Sequence, residues 1–242
     1  MIFYILNSGP CPPAFNMALD QALLEALSRL GKPVLRFYGW SEPAATFGYF
    51  QRYADVERAT PLRPLIRRPT GGGIVPHDAD WTYSLVFPPG HEWHLLKAEE
   101  SYRRVHEWIQ SAFAKLKIKT DLASCCNPST LGTRHSSPPS ACFAGYEKFD
   151  LLWKGKKIAG AAQRRNKLGL LIQGSVQPLP FQKSEVRSQK SERAAWQNAT
   201  RDAGRAVLGA DCQEFELDDA LQQRVEFLMR QKYSQTAYNH KR

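Results

Sequence analysis

Apolar positions recur along the chain with two periods, and each period marks an element. Leu19, Leu23, Ala26, Leu27 and Leu30 follow helical spacing, with Asn16 placed to cap the helix and Gly31-Lys32-Pro33 to end it. Met1 to Leu6, Val34 to Tyr38 and Ala45 to Tyr49 read as strands. Leu65 to Arg68 leads into three consecutive glycines. Thr82 to Phe87 leaves them as a strand with Thr82, Ser84 and Val86 on one face, and Pro88-Pro89-Gly90 stops it. A second long helix carries Tyr102, Val105, Trp108, Ile109, Ala112, Phe113 and Leu116 on one stripe, a pattern that suits a core. Residues 123 to 140 form a long loop rich in Ser, Pro, Thr and Cys. Short strands with tight turns then make a meander: Asp150 to Trp153, Lys157-Ile158, Ala161 to Arg165, and Leu170 to Val176. Residues 182 to 210 are polar and helical in part, with Lys183, Glu185 and Glu192 read as surface. A last helix near Leu217 to Arg230 turns Leu221, Val225, Leu228 and Met229 inward.

This order fits one domain over residues 1–215, with a C-terminal helix and basic tail, 216–242, packed on it. A hydrophobic share of 43% and a charged share of 23% are those of a globular protein with a large core. No stretch is long and apolar enough for a membrane span, and the first residues lack the basic start of a signal peptide. Cys11, Cys125, Cys126, Cys142 and Cys212 form no C-x-x-C pair or zinc cluster, so reduced thiols in the cytoplasm are expected. The net charge of +10 is spread over Arg63 to Arg68, Lys154 to Lys157, Arg164 to Lys167 and Lys183 to Arg193, without a nucleic-acid motif. Such a charge suits nucleic acid, membranes or acidic proteins, or else a solvated face.

The stretch from Arg67 to Val86 carries the most chemistry. Gly71, Gly72 and Gly73 permit positive φ and close approach of a ligand, and backbone N–H groups beside Arg67 and Arg68 suit a carbonyl or phosphate oxygen. No Gly-Lys-Ser/Thr follows, so this is not a Walker loop, and the spacing is not G-x-G-x-x-G. Further on, Cys142 precedes Lys157 by fifteen residues. A thiolate is a nucleophile, and a nearby cation both stabilises it and holds the oxyanion of a tetrahedral intermediate.

Taken together, four segments resemble the biotin/lipoate protein ligase superfamily, in that family's order over roughly residues 1 to 180. They are Asn16-Met17-Ala18-Leu19-Asp20, the run from Val34 through Trp40 to Thr46-Phe47-Gly48-Tyr49-Phe50-Gln51, the glycine signature, and Lys156-Lys157-Ile158-Ala159-Gly160-Ala161-Ala162-Gln163-Arg164-Arg165. Ala141-Cys142-Phe143 ahead of Phe149-Asp150-Leu151 and the lysine motif is similar to the cysteine-type octanoyltransferases. The resemblance implies an α/β (α+β) fold, with a mixed, largely antiparallel sheet flanked by helices. It implies Cys142 as acyl carrier and Lys157, rather than Lys156, at the acyl carbonyl. Arg68, Thr70, Gly71, Gly72, Gly73, His77, Gly160, Ala161, Gln163 and Gly174 are the implied substrate-binding positions, with His77 either touching substrate or holding the loop.

The implied reaction moves an octanoyl or lipoyl group from acyl carrier protein, or another octanoylated carrier domain, to a lysine of a lipoyl-acceptor domain. Acceptors would be of the glycine cleavage H protein or 2-oxoacid dehydrogenase E2 type. No cofactor or metal is needed, and a monomer is expected. Two other readings stay open: an ATP- and Mg-dependent lipoate–protein ligase, and a non-catalytic binding protein of the same fold. Pro76 and Gln173 depart from the family, which has an apolar or aromatic residue and often a histidine at those places.

Overall fold

The computed structural model describes residues 2–126, 145–178 and 189–241. In chain order the elements begin with β1 (Ile2–Cys11), α1 (Pro13–Leu30), β2 (Val34–Trp40), β3 (Ala44–Phe47), α2 (Tyr53–Ala59), β4 (Leu65–Arg67), β5 (Val75–His77) and β6 (Trp81–Phe87). Then come α3 (Glu92–Leu95), α4 (Ala98–Lys115), β7 (Asp121–Leu122), β8 (Leu151–Trp153), β9 (Lys156–Asn166) and β10 (Gly169–Val176). The chain closes with α5 (Gln189–Leu208), β11 (Asp211–Glu214), α6 (Asp219–Leu228), one π-helical turn (Met229–Tyr233) and α7 (Thr236–Asn239).

Eight strands make the main sheet in the order β11-β1-β2-β6-β10-β9-β8-β7. Only β1 pairs in parallel, with β11 and β2; the other pairings are antiparallel. A small sheet, β4-β3-β5, holds the two arms of the glycine turn. This is the mixed, largely antiparallel sheet with flanking helices that the resemblance implies.

Strand parity divides the core. On β6, Trp81, Tyr83, Leu85 and Phe87 join the cluster beneath α4 and α5, whereas Val86 joins the cluster beneath α1 and α6. The α1 stripe is buried as its spacing requires, and Gly31 caps the helix at φ 64°. Asn16 does not cap it: Pro13 already sits in the first turn, so Asn16 lies within the helix, wholly buried. The polar stretch before residue 210 hides a core residue. Trp196 of α5 is fully buried, with its ring 5.5 Å from those of Phe37 and Trp81. The meander is also more continuous than the sequence suggests, because β9 is one strand through Gly160 rather than two.

Burial has a pH consequence on α4. His106 is fully buried, and its Nδ1 lies 2.9 Å from the Tyr102 carbonyl oxygen. Desolvation pulls its pKa to about 4, against the opposing pull of the Asp150 charge. Above about 6.5 the imidazole is neutral in folded and unfolded chains alike. As the pH falls below that, the unfolded chain takes a proton that the fold refuses until about 4. Stability should therefore drop by roughly 3 kcal/mol across this window. Denaturant midpoints at pH 7 and 5 should differ less in His106→Gln than in the native chain; equal slopes would count against the assignment.

Candidate active site

The face of the main sheet that meets α1 carries a polar lane. Asp20 and Asn16, one helical turn apart, both bind Arg36 of β2. Arg36 donates to Asp20 Oδ1 at 2.7 Å and to Asn16 Oδ1 at 2.6 Å, and the Arg36 and Asp20 side chains have no exposed surface. Asp20 also accepts from Ser84 (2.7 Å), Tyr38 (3.1 Å) and Gln173 Nε2 (2.7 Å). Gln173 in turn accepts from Thr70 (2.7 Å), which ties the glycine turn to the helix motif. An amide suits this place because it donates to Asp20 and accepts from Thr70 at once.

The turn itself is held by arginines. Arg68 donates to the carbonyls of Gly71 and Gly73, at 3.0 Å from Nε to Gly71 and 2.8 Å from Nη2 to Gly73. Arg67 is wholly buried and donates to the carbonyls of Tyr49, Gln51, Tyr238 and Asn239. Gly72 sits at φ 87°, where a side chain is strained. A Cβ on Gly48 would lie 2.0 Å from the Gly72 carbonyl oxygen, so the Phe47-Gly48-Tyr49 segment needs its glycine for this contact.

His77 ends β5 with its ring stacked on Trp40, centroids 3.8 Å apart. Its Nδ1 is 3.0 Å from Asp80 Oδ2 and its Nε2 is 2.8 Å from Thr46 Oγ1. Asp80 Oδ2 also accepts from Thr82 (2.9 Å) and Ser175 (2.7 Å). With Nδ1–H donating to Asp80, Nε2 is left as acceptor for the Thr46 hydroxyl. Both ring nitrogens are thus engaged in holding the loop. Pro76 lies on β5, an edge strand of the small sheet, where its missing N–H is tolerated.

Lys157 stands at the other end of the lane. Its Nζ is 2.7 Å from Asp150 Oδ2, and the two side chains are 5% and 0% exposed. Asp150 also accepts from the Tyr102 hydroxyl and, at 2.7 Å, from the Glu147 amide. A bulge accounts for the aim of Lys157. Leu151 faces Ala159 but Leu152 faces Lys157, so Ile158 is the extra residue, and both Ile158 and Ala159 enter the core. The bulge brings Lys157 to the side of Gly160, where an added Cβ would lie 2.7 Å from Lys157 Cε. Lys156 points to solvent.

A narrow, mostly apolar cavity runs between these groups, walled by Met17, Trp40, Val75 and Ala162. Of the positions the resemblance implies, Arg68, Gly72, His77, Gly160, Ala161 and Gly174 line it. Thr70, Gly71 and Gly73 brace it from behind through the bonds above. Gln163 does not line it: its side chain turns to α4, where its amide donates to Ala98 O and accepts from Ser101. Gly174 leaves room for the Tyr83 ring, whose Cζ would be 2.2 Å from a Cβ there. Cys142 lies outside the described residues. Asp20, Asp80 and Ser175 are not marked as site residues by the sequence, because no local motif marks a carboxylate whose donors, Ser175 among them, come from distant strands.

A glycine turn on an apolar cavity, with a buried, carboxylate-held lysine beside the lining residue Gly160, on this mixed sheet, defines a lipoate-ligase-type catalytic domain. The chain belongs to the lipoyl protein ligase A/B catalytic domain family, which it matches over residues 12–177. It is 37% identical over 184 residues to the octanoyltransferase LipM of Geobacillus kaustophilus, covering 72% of this chain and 65% of that protein. It thus spans about two thirds of the length of such relatives. Among solved structures, lipoate-protein ligase A bound with ATP superposes with a TM-score of 0.74 at 22% identity, covering 99% of each chain. A bipartite lipoate protein ligase from Thermoplasma acidophilum, described with its E2 lipoyl domain, gives 0.69 at 19% identity, covering 99% of this chain and 96% of that one. Among the described residues no helix is long and apolar enough to cross a membrane.

Proposed function

We propose that this chain is an octanoyl or lipoyl transferase acting in protein lipoylation. The observation that carries the reading is Lys157, buried on Asp150 and seated beside Gly160, a residue that lines an apolar cavity. An ammonium fixed there meets the carbonyl of an acyl chain lying in the cavity and stabilises the oxyanion that forms on it.

Cys142, in Ala141-Cys142-Phe143, is the nucleophile of this reading. Its thiolate attacks the carrier thioester, the carrier thiolate leaves and takes up a proton, and an acyl-cysteine remains. The amine of the acceptor lysine then attacks that thioester. An amide forms, the amine loses a proton, and the Cys142 sulfur leaves as thiolate. The donor is octanoyl-acyl carrier protein or an octanoylated carrier domain, and the acceptor is a lipoyl domain of the H-protein or E2 type. Thioester exchange needs neither ATP nor Mg, and the domain acts as a cytoplasmic monomer with its C-terminal helix packed on the catalytic unit.

Mass spectrometry after incubation with octanoyl-carrier protein tests this. The chain should gain one octanoyl group, removable by hydroxylamine and mapping to the peptide that holds Cys142, and should pass it to a lipoyl domain without ATP. Turnover of free octanoate that requires ATP would instead make it a ligase. No turnover in either assay would leave a binding protein.

A further inference from the structure

Arg164 continues the lane that Gly160 and Ala162 open on β9. These three residues face Ser175, Ala162's partner Gln173, and Leu171 in the β9–β10 register, so they share one side of the sheet. The four steps from Gly160 to Arg164 cover about 13 Å.

At that outer end Arg164 meets two lysines from the C-terminal segment. The Arg164 guanidinium lies 6.0 Å from the Tyr49 ring centroid, and Lys241 Nζ lies 3.8 Å from the same centroid. Lys241 and Lys232 approach the Tyr238 ring at 4.7 and 4.6 Å. Among the described residues neither Arg164 nor Lys241 has an ion-pair partner, although arginines such as Arg103 and Arg104 elsewhere are paired with glutamates. Glu25, the carboxylate that acts on Lys232, is itself bonded to Arg224 at 2.7 Å. Burial, and after it the like charges of Arg164 and Lys241, bring Lys232 down to about 8. Cations gathered in this way repel one another until an anion joins them.

We infer that Arg164, Lys232 and Lys241 form a phosphate-ester site at the outer end of the β9 lane, one that takes the phosphate of the pantetheine arm bearing the acyl thioester. The identity of the arm rests on the transferase reading above. A pantetheine chain is about as long as four extended peptide units, roughly 13 Å. With its thioester at Lys157 beside Gly160, its phosphate reaches Arg164. Three cations, one from β9 and two from the C-terminal segment, supply the charge-assisted hydrogen bonds that a phosphate needs.

Calorimetric titration of 4′-phosphopantetheine and of pantetheine into the full chain, near pH 8 where Lys232 is half protonated, reads the site without turnover. The phosphorylated compound should bind at least about tenfold tighter, as one or two hydrogen bonds to charged groups provide. In buffers of different ionisation enthalpy it should show proton uptake. Arg164→Gln and Lys241→Gln should each reduce that preference and leave pantetheine binding unchanged. Lys241 is exposed, so its replacement does not endanger the fold. Equal binding of the two compounds, or a preference that survives both substitutions, would overturn the site. ATP displacing phosphopantetheine with equal affinity through the same residues would assign it to a nucleotide and overturn the donor-arm assignment. Loss of octanoyl transfer with the phosphate preference intact would count against the transferase reading alone.

Discussion

Lys157→Ala should lower octanoyl transfer by about 10² to 10³ in kcat, the usual effect of removing one oxyanion donor. The size follows from where the ammonium sits. Its side chain is 5% exposed and its counter-ion is wholly buried, so water screens its field weakly beside Gly160, which lines the cavity. Asp150 keeps the Tyr102 hydroxyl and the Glu147 amide as donors, so it is not left without partners when the lysine goes. Melting temperature should accordingly change far less than rate. Lys156→Ala should be nearly normal, because that side chain is in solvent. Gly160→Ala gives an independent reading of the same group. Its Cβ would lie 2.7 Å from Lys157 Cε and 2.9 Å from Nζ, so the ammonium must leave its seat while its charge remains in the chain. A fall in kcat with little change in KM for carrier protein is expected there too. The thiol of Cys142, followed by alkylation rate against pH, should titrate higher in Lys157→Ala. Full activity in Lys157→Ala, or equal losses in Lys156→Ala, would remove the lysine from the mechanism.

Much of this site is legible in the chain, and the parts that are not share a cause. The α1 stripe, the β6 alternation and the glycine turn are local patterns, and each forms as its spacing demands. The resemblance prefers Lys157 to Lys156, and of the two it is Lys157 that is buried on Asp150 while Lys156 is exposed. What escapes is whatever depends on pairing between distant segments. A bulge is defined by the partner strand, so nothing between Lys156 and Gly160 announces that Ile158 is the extra residue. Gln163 belongs to the lysine motif, yet its side chain turns to α4, a contact that no residue beside it in the chain announces. Trp196 lies in a polar stretch, and its burial follows from the aromatic face that β2 and β6 present to α5. Nothing near Arg67 in the chain tells that its guanidinium donates to the carbonyls of Tyr238 and Asn239, some 170 residues on.

The helix motif at Asn16 to Asp20 gives the largest expected effect on stability. Arg36→Met should destabilise the fold by roughly 3–5 kcal/mol, since it strands a buried carboxylate. A typical domain has about 5–15 kcal/mol in all, so the variant should unfold at much lower denaturant. Asp20 would keep Ser84, Tyr38 and Gln173 as donors but lose the one full positive charge that touches it. Asn16 Oδ1 and the Asn16 carbonyl would lose the Arg36 donor as well. The decisive comparison is with Arg36→Met/Asp20→Leu. Removing both charges leaves no stranded ion, and apolar replacements of similar volume are tolerated in such places. The double variant should therefore be more stable than Arg36→Met alone, a coupling that a double-mutant cycle of denaturant midpoints reads directly. Strict additivity would mean that water reaches Asp20. Transfer activity should fail in the double variant even where its stability returns, because Gln173 would lose the carboxylate that aligns it with Thr70 behind the glycine turn.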